Sequence, residues 1–127
     1  FAPTTPVAFD PEAWLVSIDR LMSYQPQRMY LTHYGCLENP AALAEDLRQS
    51  VRDLAALAVA QEAGPREGRL DRLRIAVGDH LVQRVRDHDC DLPEGRVREL
   101  LALDTDLNAQ GLEVWLTRRQ KAAQAHA

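Results

Sequence analysis

Proline decides what this chain can fold into. Pro11, Pro40 and Pro93 each stand at the head of a run rich in Leu, Ala and Val, and Gly64-Pro65 closes one such run. Proline suits the first turn of a helix, where its missing N–H would have had no partner, and breaks a helix interior. Between these stops the apolar residues recur at the spacing of a single helical face. Asp10-Pro11-Glu12 combines a cap, a first-turn proline and an acid at the positive end of the helix dipole. It opens a helix carrying Trp14, Leu15, Ile18, Leu21 and Met22, which Pro26 ends. Asn39-Pro40 opens a second, with Leu43, Leu47, Val51, Leu54 and Leu57 on one stripe. A third is expected from about Glu67 to about Asp89, with Leu70, Leu73, Val77, Leu81 and Val85 inward. Gly78 inside it costs about 1 kcal/mol against Ala. Pro93-Glu94 begins a last helical stretch with Val97, Leu100, Leu101, Leu107, Leu112, Trp115 and Leu116, which Gly111 is expected to bend. Residues 39–118 therefore predict a bundle.

Size and charge narrow the function. The 127 residues suffice for one modest core, and a net charge of -4 argues against nucleic-acid binding through bulk basic charge. No run approaches the length of a membrane span, and FAPTTPVAFD has neither the basic head nor the apolar core of a secretory signal. Cys36 and Cys90 match no metal-site spacing and read as reduced thiols of a cytosolic protein.

One stretch does not read as helix. In RMYLTHYG, Met29, Leu31 and His33 alternate with Tyr30, Thr32 and Tyr34, and Gly35 permits a turn. This predicts a short strand. A strand needs a partner for its backbone groups, and no second good candidate is evident; prolines limit the opening Thr/Pro segment. The expectation is that its sheet is made by residues outside the chain, in keeping with a chain that opens at Phe1. Two copies could also satisfy each other, which makes a homo-oligomer an expectation.

FDPEAWLVSIDRLMSYQPQRMYLTHYG resembles the last helix and last strand of the metallo-β-lactamase fold, TTPVAFDPEAW the segment leading into that helix, and LALDTDLNAQGLEVWL the C-terminal helix of a subgroup of bacterial metallo-hydrolases with this fold. The resemblance implies a mainly α chain with one or two short strands. It would be the C-terminal part of an αβ/βα sandwich, with residues 1–37 as the last loop, helix and strand and residues 38–127 as a C-terminal helical subdomain. It also implies two zinc ions in the parent protein and a metal-activated water attacking an ester, thioester, lactone or related bond of a small-molecule substrate. Of the family's ligands only the final His carries over, onto His33, with Tyr34 beside it in the substrate pocket. The His-x-His-x-Asp-His motif is absent, so the isolated chain is expected to be inactive and to need the N-terminal part of the fold as its partner. The alternative is an independent helical interaction or dimerisation module.

The remaining polar residues read more plainly. By themselves His33 could be a half-buried strand histidine and Tyr30 and Tyr34 packing residues. His80 and His88 are eight apart, too far for a two-ligand clamp, and Asp87, Asp89 and Asp91 lack the glycine and terminal glutamate of a calcium loop. Arg66, Arg69, Arg72 and Arg74, interleaved with acids, read as a solvated face. Asp104 and Asn108, four apart in an apolar stripe, either tie down a loop or mark a helix break near Asp104–Asp106.

Overall fold

The computed structural model describes residues 2–6, 9–33 and 35–125. They are mainly helical: α1 (Pro11–Ser23), α2 (Pro40–Ala60), α3 (Arg69–Asp87), α4 (Glu94–Leu100) and α5 (Ala102–Ala125), with β1 (Arg28–Leu31) and β2 (Gly35–Glu38) between α1 and α2. No described helix is long and apolar enough to cross a membrane. The chain forms two compact units, one of Phe1–Ala2 with Asp10–Arg52, the other of Pro3–Phe9 with Asp53–Ala127.

In the first unit, α1 starts as its sequence dictates. Asp10 is extended, and its carboxylate accepts a hydrogen bond from the Ala13 N–H at 3.0 Å. The helix ends through Gln25, whose backbone is left-handed, just before Pro26. Of the expected stripe only Ile18 is buried, and Leu21 is exposed. Asn39 does not adopt the extended geometry of an ordinary cap; it is left-handed at φ 53°. Leu43, expected inward, is 44% exposed, while Ala44, Ser50 and Val51 are buried. The Ser50 hydroxyl accepts the Ala2 N–H at 2.8 Å.

The strand has a partner after all. β1 pairs with β2 antiparallel in the register Arg28↔Glu38, Met29↔Leu37, Tyr30↔Cys36 and Leu31↔Gly35. Thr32 and His33 lie in the turn between the strands, and Gly35 takes φ 75°, the left-handed conformation such hairpin loops require. The expectation of an unpaired strand failed because GCLE lacks the β-branched and aromatic residues that advertise a strand. Nor is the ribbon buried between layers. Only Met29 and Leu37 are even half-buried.

In the second unit, α3 keeps the predicted face, burying Leu73, Val77 and Leu81 and packing on α5, whose Leu112 and Leu116 are buried; Leu54 and Ala58 of α2 are buried as well. The expected last helix is two: Leu101 leaves helical geometry at φ -96°, ψ 9°, separating α4 from α5. Leu100, expected inward, is 53% exposed. Arg69 corrects the reading of a solvated basic face. It is 2% exposed and holds Glu113 through two hydrogen bonds of 2.6 and 2.7 Å. Gly111 does not interrupt α5, which runs on to Ala125.

Candidate functional site

The hairpin loop carries the histidine singled out by sequence. β1 and β2 hold the loop by backbone pairing, and His33 stands in it exposed to solvent. Tyr34 lies outside the described residues. Tyr30 is 79% exposed, and Cys36, opposite it in register, is exposed as well. Among the described residues no group of three or more His, Cys, Asp or Glu side chains comes together to hold a metal ion. Zinc takes about four ligands, or three and a water. Among the described residues His33 is therefore not joined by the further side chains that a zinc site takes.

A second constellation lies on α5. Thr4 is fully buried, and its backbone N–H donates to Asn108 Oδ1. Its hydroxyl lies 2.8 Å from the same oxygen and 3.0 Å from the Asn108 carbonyl. Asn108 is oriented for this because its own amide donates to the Asp104 carbonyl at 2.8 Å, one turn earlier. Of the two readings left open by sequence, tying down a loop is the one observed. One turn on, Gly111 makes room: a Cβ there would stand 1.4 Å from the Thr4 carbonyl oxygen. A mid-helix glycine costs about 1 kcal/mol against alanine, and the close backbone approach explains it. The Phe9 ring meets Trp115 edge-on at 5.6 Å, Arg118 donates to the Phe9 carbonyl at 2.5 Å, and the Arg119 guanidinium lies 5.9 Å over the Trp115 ring. Thr4, Thr5 and Phe9 thus form a strap on α5. A sequence signal existed, since Asn and Gly one turn apart interrupt an apolar stripe, but nothing in it named the strap as the partner.

A cleft of about 270 Å3 opens where α4 breaks from α5. Gly78, Val82 and Ala102 are among its lining residues, with Arg74 and Arg98 beside them. Both guanidiniums are engaged. Arg74 pairs with Asp71 and Asp106, each at 2.7 Å, and Arg98 with Asp79 and Glu94, each at 2.7 Å. Four carboxylates around two arginines leave no attraction for an anion.

His80, on α3, is half-buried, and its Nε2 is buried without a hydrogen-bond partner. Burial pushes its pKa below the ordinary imidazole value, against the opposing pull of Asp53. The Arg69 guanidinium is held still more firmly protonated by its hydrogen bonds to Glu113.

No family model, no curated protein and no solved structure matches this chain.

Proposed function

We propose that this chain is the C-terminal portion of a bacterial metallo-hydrolase of the metallo-β-lactamase fold, acting in the cytoplasm on an ester, thioester, lactone or related bond. His33 serves there as one ligand of a zinc site whose other ligands come from the N-terminal part of the fold, and Tyr34 flanks the substrate. The supporting observation is the meeting of the two sequence stretches that carry the resemblance. TTPVAF and LALDTDLNAQGLEVWL are about 100 residues apart in the sequence, yet Thr4 sits on Asn108 and Gly111, and Phe9 on Trp115. Chance likeness in two unrelated segments gives no reason for them to interlock. The order of α1, then β1, then an exposed histidine in a tight turn also suits a ligand presented at a strand end.

The test joins the chain to the residues preceding it in its reading frame. A His-x-His-x-Asp-His motif is expected there. The longer protein should retain zinc by elemental analysis, with His33→Ala losing part of it. An upstream frame without that motif sinks the reading. The 127-residue chain alone should bind zinc only weakly in a calorimetric titration.

The second reading, a helical interaction module, has its own support. Val16, Tyr24 and Tyr30 are each more than half exposed in the smaller unit and could each contribute to a partner contact. It predicts that the chain without upstream residues captures a partner through that unit.

A further inference from the structure

We propose that α5, from Asn108 to Arg118, is a separable recognition site for an extended peptide. The chain's own N-terminal segment, through Thr4, Thr5 and Phe9, is its resident ligand, replaceable by the same segment of a second copy. This inference does not depend on the metal-site reading.

Three features carry it. First, the segment is read largely through its backbone. The Thr4 N–H goes to Asn108 Oδ1, the Thr4 carbonyl sits over Gly111, and the Phe9 carbonyl accepts from Arg118. Main-chain recognition of an extended segment, with pockets for selected side chains, is how peptide-binding grooves combine affinity with specificity. Here the selected side chains are the Thr4 hydroxyl on Asn108 and the Phe9 ring on Trp115. Second, the receiving side chain is oriented without help from the segment, because Asn108 is held by the Asp104 carbonyl within α5 itself. Third, the segment is stiff. Pro3 and Pro6 bracket Thr4 and Thr5, so less freedom is lost on docking than for an ordinary peptide. A second copy brings identical contacts, and only effective concentration favours the covalently attached segment.

The acceptor for the test is the full chain carrying Thr4→Ala and Phe9→Ala, which weakens the resident segment. The probe is the synthetic peptide FAPTTPVAFD with a fluorescent label, followed by anisotropy. The acceptor is expected to bind it at least about tenfold more tightly than the unaltered chain does, and about tenfold more tightly than it binds a peptide carrying the same two substitutions. Adding Gly111→Leu to the acceptor should abolish binding. A folded acceptor that ignores the peptide, or binds it equally with Leu at 111, overturns the proposal. Should the acceptor fail to fold, hydrogen exchange on the unaltered chain decides. The Thr4 N–H is expected to exchange by local opening, well before the amides of α3. Exchange only with global unfolding would mean that the segment cannot be released, and the proposal fails.

Discussion

The strap at Thr4, Thr5 and Phe9 and the β1–β2 hairpin both lie outside the helices, and neither belongs to a sheet of more than two strands, yet they meet opposite fates. The strap buries Thr4 and Phe9 completely or nearly so and satisfies its backbone on side chains of a helix. The hairpin satisfies its backbone only between its own two arms and leaves both faces largely to solvent. The difference lies less in these residues than in the receiving surface. A helix that offers a missing Cβ at Gly111, an oriented amide at Asn108 and an aromatic edge at Trp115 can hold a strap without any sheet. Two-stranded ribbons are marginal alone, and cross-strand ion pairs such as Arg28–Glu38 at 3.4 Å, both exposed, add little.

If stability resides in the strap-bearing unit, the largest effects must fall there. Arg69→Ala strands Glu113 beside a cavity and is expected to cost about 3–5 kcal/mol in urea denaturation. The double variant Arg69→Met with Glu113→Leu should recover most of that loss. A negligible effect of Arg69→Ala would mean that the pair does not anchor α3 to α5. Next, Leu73→Ala should cost about 2–5 kcal/mol, whereas Leu43→Ala, despite its equal place in the apolar periodicity, should stay within about 0.5. Equal losses would restore Leu43 to a core.

Acid sharpens the comparison from another side. Because the folded state holds His80 below its ordinary pKa, the unfolded chain binds more protons there. Stability from neutral His80 is therefore fully present above about pH 6.5 and falls as pH drops through that value toward the folded one. His80→Leu should flatten the slope of stability between about pH 7 and pH 5. An unchanged slope would remove His80 from the account. The smallest effect is expected at the ribbon: Tyr30→Ser should move the unfolding midpoint by no more than about 0.5 kcal/mol equivalent. A large loss would show that the hairpin supports the fold.

Sequence reasoning succeeded where one short segment determines its own structure. The Asp10-Pro11 cap formed as read, and α3 was located to within about two residues at each end, an ordinary scatter for helix boundaries. It failed where the determinant is distant. Nothing near Arg69 reveals that Glu113 will bury it, and the apolar run from Val97 to Leu101 gives no local reason for a break at Leu101. β2 was missed because Gly35-Cys36-Leu37-Glu38 becomes a strand only through pairing with β1. The alternation of Arg28 to Tyr34 puts His33 at the end of the strand on one face with Met29 and Leu31, but β1 stops at Leu31 and His33 is exposed in the turn beyond it, where backbone pairing with β2 has ended.

Trp115 and Trp14 are the chain's two indoles, and they fall in different units. Trp115 has the Phe9 edge on one contact and the Arg119 cation on another, so its emission should shift and brighten or dim as the strap leaves. Trp14, on α1, shares neither neighbour. A Trp14→Phe chain would thus carry a native optical reporter of strap release, and a Trp115→Phe chain one for the α1–hairpin unit. The two emission curves, taken against urea, would time the departures of the two regions separately without any added label.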